Sequence, residues 1–232
     1  MYYFMLDGET SFQNGIVVTK RPDFPTPERN YNVYDIPGRD GQLYEDLGTY
    51  NDIEIEIECN FIDNPNRWHE HWRKLKKWLL KSGTRKFQNC DDPDFYYVVK
   101  KIVIGTAERE IVQSAEFTIT LTVDPWTYLV NGLNKYAPSM ILDNAYSLAK
   151  PIYYITGEGM CTLTVNGNVI NANIGQNLTI DTYREICYRT DGTLQNTAIN
   201  GDYADLFLLE GANSINISDG FTLEVQPNWR MI

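Results

Sequence analysis

From Ile53 to Phe61 the chain alternates without a break. Ile53, Ile55, Ile57, Cys59 and Phe61 are apolar, and Glu54, Glu56, Glu58 and Asn60 lie between them. A period of two places one set on each side of a strand, so this segment predicts a strand with an apolar core face and a row of three glutamates on the other. Ala115 to Val123 repeats the device, with Ala115, Phe117, Ile119, Leu121 and Val123 inward and Glu116, Thr118, Thr120 and Thr122 outward. Two such segments commit the chain to a sheet buried on one face. Gly15–Lys20 and Tyr96–Ile104 read as further strands.

One helix interrupts them. Trp68, Trp72, Leu75 and Leu79 fall on one stripe, which predicts a helix near 65–82. Asp63 or Asn64 is placed to cap it, Pro65 suits its first turn, and Ser82-Gly83 ends it. Its other faces carry Arg67, Arg73, Lys74, Lys76, Lys77 and Lys81, the one basic concentration in a chain of net charge -11. The bland reading of that face is a solvated surface. The sharper one is an ion-pairing surface for an acidic neighbour.

Beyond Asp124-Pro125-Trp126 the texture changes. Residues 131–138 read as a connecting arm. Short strands then follow at 152–156, 160–165, 178–181, 186–189, 205–209, 214–217 and 221–226. Asn166-Gly167, Asp191-Gly192, Asn200-Gly201 and Asp219-Gly220 mark turns between them. That spacing predicts a β-sandwich.

The acidic balance disfavours a protein that grips phosphate backbones. Cys59, Cys90, Cys161 and Cys187 are widely spaced with no CxxC pair, so buried free thiols are expected and a zinc site is not. Met1–Leu6 is apolar but stops at Asp7-Gly8, too short for a signal core, and no apolar run has the length of a membrane span. His69 and His71 are two apart on the expected helix and point to different sides, so they do not share a metal. Asp91, Asp92 and Asp94 lack the spacing of a calcium loop and read as a solvated turn. No nucleophile–base pair or phosphate cradle is visible, since Gly157-Glu158-Gly159 precedes a strand. The expectation is a non-enzyme with no metal and no cofactor.

Two loops are shaped for contact. Pro22–Pro27 carries three prolines around Phe24, which excludes a central strand and favours a stiff binding loop. Ile36-Pro37-Gly38-Arg39-Asp40-Gly41 lies between strand-like segments 31–35 and 50–62. It combines one fixed φ, two permissive glycines and a pair of opposite charges.

The Ile36–Gly41 run, Asp124-Pro125-Trp126 and Pro227-Asn228-Trp229-Arg230, in this order, resemble the distal tail protein (Dit) family of siphovirus-type bacteriophages. Asn64-Pro65, Pro93–Tyr97, Pro151, Gly157–Gly159, Val165–Gly167, Gly201-Asp202 and Leu208–Asn213 extend the likeness over most of the chain. The resemblance implies a mainly β protein in two parts. Residues 1–135 would be a ring-forming β-sandwich-like domain with one α-helix, and 136–232 a galectin-like β-sandwich. It implies a structural baseplate hub in the virion, at the distal end of the tail. A homo-oligomeric, hexameric ring would join the tail tube protein and tape-measure end to tail-tip and receptor-binding proteins, with DNA passing unbound and no membrane involved. On that reading Phe24, Pro37, Gly38, Arg39, Asp40, Gly41, Arg73, Lys74 and Lys77 are candidate interface residues. Glu54, Glu56 and Glu58 are candidate channel-lining residues. The rival is a carbohydrate-binding adhesion module contacting the cell wall. Against it, residues 140–226 show no clear His-Asn-Arg-Trp sugar constellation, and a galectin-type fold does not guarantee a galectin-type site. A peptidoglycan hydrolase is a weaker third, with no catalytic set.

Overall fold

A computed structural model describes residues 2–109 and 111–232. In chain order the strands are β1 (Phe4–Leu6), β2 (Glu9–Thr10), β3 (Val17–Val18), β4 (Arg29–Tyr34), β5 (Leu43–Tyr50) and β6 (Ile53–Ile62). Helix α1 (Trp68–Leu79) follows, then β7 (Arg85–Asn89), β8 (Asp92–Ile104) and β9 (Ser114–Leu129). The second half holds β10 (Asp143–Asn144), β11 (Ile152–Val165), β12 (Asn168–Asp181), β13 (Ile186–Tyr188) and β14 (Ile199–Asn200). It ends with β15 (Gly211–Ala212), β16 (Ile215–Ile217), β17 (Thr222–Gln226) and β18 (Arg230–Met231). The chain divides into two compact units, residues 1–127 and 128–231. The mainly β fold class expected from the strand patterns is the fold observed.

The first unit is built on one antiparallel sheet in the order β2-β1-β7-β8-β9-β6-β3. β6 and β9 pair from Ile53↔Val123 to Ile62↔Ser114, so their two alternating patterns face the same way. The ten inward residues named from those patterns are all buried. Against them packs the stripe of α1, where Trp68, Leu75, Trp78 and Leu79 are buried. Phe61 is the focus of this contact, stacked on Trp68 at 5.1 Å and Trp72 at 5.6 Å.

The helix is shorter than the expected 65–82 and spans its apolar stripe alone. Asn64 does not cap it. Its Oδ1 accepts from the Asn66 N–H at 3.0 Å, forming a turn ahead of the helix. The end of α1 is held instead by Arg85, which donates to the carbonyls of Trp78 (2.6 Å) and Leu79 (3.2 Å). The cation thereby satisfies carbonyls that the last turn leaves unpaired. Asp7 completes the clamp, accepting from Arg85 Nε at 2.7 Å and from the Lys86 N–H at 2.9 Å. His71 is half-buried between two acceptors, Asp63 Oδ2 and the Asn14 carbonyl, both at 3.0 Å. Gly15 sits beside it at φ +73°, and a Cβ there would lie 2.6 Å from the imidazole.

Several expected boundaries differ. The strand expected at Gly15–Lys20 shrinks to two residues, and the one expected from Tyr50 breaks at Asn51-Asp52 into β5 and β6. Asp92 and Asp94 lie inside β8, where Asp92 pairs back to Asn89 of β7, rather than in a free turn.

The second unit centres on the hairpin β11–β12, paired in register from Ile152↔Asp181 to Val165↔Asn168. Asn166 and Gly167 form its two-residue turn, both at positive φ (52° and 87°), as a type I′ turn requires. Two strands were expected where β11 runs unbroken. Gly157 and Gly159 lie inside it, and the Phe221 ring occupies the space that a Cβ at Gly157 would fill, 2.3 Å away. β17 and β16 pair with β11, and β13 and β14 with β12. Tyr153, Ile155, Leu163, Val165, Ile170, Ile174 and Ile180 form the buried face. The strand expected at 205–209 is instead a 3-10 turn (Tyr203–Leu206), started by Asp202, whose carboxylate accepts from the Ala204 N–H. The expected connecting arm at 131–138 is tied down, with Tyr136 and Val225 exchanging two backbone hydrogen bonds.

Candidate interaction surfaces

The Ile36–Gly41 loop is the tip of a two-stranded hairpin, β4–β5, that pairs with no other sheet among the described residues. Ile36 to Arg39 closes as a turn, with the Arg39 N–H on the Ile36 carbonyl at 3.2 Å. Pro37 and Gly38 are its central residues, and Gly38 takes φ +83°, the conformation that a type II turn requires at that place. Pro37, Gly38, Arg39, Asp40 and Gly41 are all solvent-exposed.

The arms of this hairpin show no buried face. Val33, Tyr44 and Tyr31 lie on one side, where Tyr31 and Tyr44 meet edge to face at 6.0 Å. Tyr34 and Leu43 lie on the other with Asn32 and Glu45, and the Tyr34 hydroxyl donates to Glu45 at 2.9 Å. Tyr44 is 60% exposed and Leu47 48%, and Tyr31, Val33 and Tyr34 are each close to half-exposed. Arg29 ties the base, bonded to Asp46 at 2.5 Å and Tyr50 at 3.1 Å. Isolated two-stranded hairpins are marginal in water. Here aromatic and aliphatic residues stand exposed on both faces.

The glutamate row stands on the open face of β6. Glu54, Glu56 and Glu58 floor a groove of about 310 Å³ walled by the Lys20–Pro25 segment. Lys20 comes within 3.9 Å of Glu58. Phe24 is only part of a contact loop. It stays 41% exposed, but its ring stacks on Tyr97 at 5.8 Å, and Arg21 pins the same loop to Asp91 at 3.0 Å. The proline segment is therefore a fixed wall.

On α1, Arg73, Lys74 and Lys77 are exposed. Lys74 is paired with Glu70 at 2.8 Å and Lys76 lies over the Trp72 ring. Arg73 and Lys77 have no carboxylate within ion-pair distance among the described residues. Among those residues no three His, Cys, Asp or Glu side chains converge to hold a metal ion, and no helix is long and apolar enough to cross a membrane. Burial pushes the Cys59 thiol up to about 12, and raises those of Cys161 and Cys187, so these three are poor nucleophiles.

The other signature residues turn out to be architectural. Asp124-Pro125-Trp126 lies inside β9, and Trp126 meets Tyr50 edge to face at 5.7 Å. Asn228 donates to the Lys150 carbonyl at 2.9 Å, Trp229 is buried, and Arg230 donates to the Leu148 carbonyl at 2.7 Å. Gly132 packs so closely on Trp229 that a Cβ there would lie 2.7 Å from its backbone nitrogen. Sequence reasoning missed β5 and the apolar flanks of the hairpin. The signal was present in Leu43, Tyr44, Leu47 and Tyr50, diluted by Glu45, Asp46 and Gly48.

No family model matches the chain, and no curated protein sequence matches it. The fold has a match over its whole length. The crystal structure of the Dit protein (gp19.1) of phage SPP1 covers 100% of both chains with a TM-score of 0.70 at 12% identity. That protein is described as a paradigm of the hub adsorption apparatus in phages infecting Gram-positive bacteria. At such low identity the likeness is one of fold, and it is the fold that the signature residues pointed to.

Proposed function

We propose that this chain is a structural hub protein of a phage tail tip, assembling from identical copies into a closed ring. The observation that carries the proposal is the β4–β5 hairpin, a sheet fragment whose two faces both carry exposed aromatic and aliphatic residues. The whole-length likeness to the SPP1 hub protein supports the same reading. Each copy offers the hairpin to the next, and a head-to-tail contact of this kind closes into a ring when its rotation is right. The ring is hexameric in this reading. It joins the tail tube protein and tape-measure end on one side to tail-tip and receptor-binding proteins on the other. Its work is geometric and needs no catalysis or cofactor.

Glu54, Glu56 and Glu58 line the opening in this arrangement. A negative wall repels phosphates and lets DNA slide through without adhering. A ring reconstruction with these glutamates on the outer rim would remove that part of the account.

The test is native mass measurement with negative-stain imaging of the purified chain. Closed rings that lose the hairpin-deleted variant support the hub. A chain that stays monomeric at every concentration, with and without tail-tip partners, contradicts it. A glycan-binding module remains the alternative in class. Specific glycan-array binding by the full chain would replace the hub reading.

A further inference from the structure

The hairpin and α1 carry opposite unmet charges, and we infer that the β4–β5 hairpin of one copy docks on the basic face of α1 of the next. This rests on the ring reading above and names the two surfaces that would meet.

Residues 28–50 hold five carboxylates, Glu28, Asp35, Asp40, Glu45 and Asp46, against Arg29 and Arg39. Only Asp46 is neutralised within the hairpin, by Arg29. Glu45 and Asp35 accept from neutral groups, the Tyr34 hydroxyl and the Gln42 amide. Residues 68–81 are the inverse, with Arg73, Lys74, Lys76, Lys77 and Lys81 against Glu70 alone. Arg73, Lys77 and Lys81 recur at every fourth residue. Arg73 and Lys77 thus share one face of α1, about 6 Å apart along its axis, and Lys81 follows just past the helix end at Leu79. None has a carboxylate within ion-pair distance among the described residues. Leu80, beside them, is 55% exposed.

The two surfaces also match in kind. The hairpin's tyrosine faces suit a lysine- and arginine-bearing partner, because aromatic faces attract cations. Its aliphatic residues, Val33, Leu43 and Leu47, suit the stems of long basic side chains and the exposed Leu80. The competing seat for α1, the glutamate row, is the poorer fit. A helix is about 10 Å across, whereas that groove is walled by the pinned proline segment and already carries Lys20 and Arg21 at its rim. A second copy is therefore the occupant that the charges select.

A charge swap tests this on the full chain. Glu28→Lys with Asp40→Lys reverses hairpin positions that make no side-chain hydrogen bond, and Arg73→Glu with Lys77→Glu reverses the helix. Each pair alone is expected to raise the concentration needed for assembly at least about tenfold at low salt, with the difference narrowing as salt rises. All four changes in one chain should bring it back to within about threefold of the parent. Circular dichroism melts confirm that each variant is folded, and the four-fold variant keeps the test decisive if one pair weakens the helix. Assembly unaffected by either pair, or not restored by the combination, overturns the inference while leaving the ring standing. A parent chain that never assembles removes the ring and this contact together.

Discussion

Two antiparallel hairpins dominate this molecule, and they obey opposite rules. In β11–β12 one face is buried over most of its length, and the turn is a tight Asn166-Gly167 pair. In β4–β5 neither face is buried, the register slips between Arg29 and Tyr31, and the tip is a longer proline-glycine loop. Both have strands and a glycine-bearing turn. The difference lies in what completes them. The first hairpin finds its second layer within its own unit. The second has aromatic residues on both sides, and none of the described residues buries them. Burial on one face fixes register, and its absence leaves register weakly specified until a partner supplies it.

Core substitution gives the sharpest contrast. Leu163→Ala in β11 removes a fully buried side chain and should cost about 2–5 kcal/mol in denaturant unfolding of the lone chain. Leu47→Ala in β5 should cost less than about 0.5 kcal/mol in the same measurement, yet weaken assembly. Equal losses from the two would erase the distinction drawn between the hairpins.

A smaller effect is expected at Tyr153, whose hydroxyl donates to the Leu206 carbonyl at 2.7 Å inside the second unit. Tyr153→Phe leaves that carbonyl unpaired and should cost about 1–2 kcal/mol, read from the same melts. Tyr44→Phe in the hairpin should leave the lone chain unchanged.

Acid should separate the two units further. At Asp7 burial opposes ionisation, but the Arg85 hydrogen bond, the Lys86 N–H and the charge of Arg85 and Lys81 outweigh it and hold the carboxyl below its ordinary range. A depressed carboxyl stabilises the fold fully above its unfolded value, near about 3.9. That contribution is lost as pH falls through the lower folded value. Asp63 and Glu70 in the same unit are depressed too, by the Asn64 N–H first and by Lys74 first, and Asp191 in the second unit is depressed by the Thr193 N–H first; Glu70 and Asp191 are both exposed, so the partly buried Asp7–Arg85 pair carries the difference between the units. The first unit should therefore melt before the second between about pH 4 and 2. The shift should be modest, because Asp7 is more than a third exposed. Asp7→Asn should remove most of the separation in a pH-resolved thermal scan.

The parts of this fold that repeat a physical period were legible in the chain. The inward residues of β6 and β9 and the apolar stripe of α1 were named from spacing alone, because burial selects one face and leaves a pattern. The type I′ turn at Asn166-Gly167 was equally plain. What escaped has a common cause. β1, β2 and β7 are short and held by neighbours distant in sequence, as Arg85 is by Asp7 and by the carbonyls of α1. Gly157 hides inside β11 because its reason, the Phe221 ring, lies 64 residues away. At the candidate interface the Ile36–Gly41 tip was noticed for its stiffness. Its flanking strand β5 was not, since a segment exposed on both faces carries no alternation to detect.

The central claim is that the β4–β5 hairpin is completed by another copy of the chain. Hydrogen exchange across residues 29–50, followed as protein concentration rises through the assembly range, tests it most directly. The account predicts rapid exchange in the dilute chain and protection that grows in step with the assembled fraction, while β11–β12 stays protected throughout. Protection already present in the monomer, or exchange that remains fast in the assembly, would contradict it.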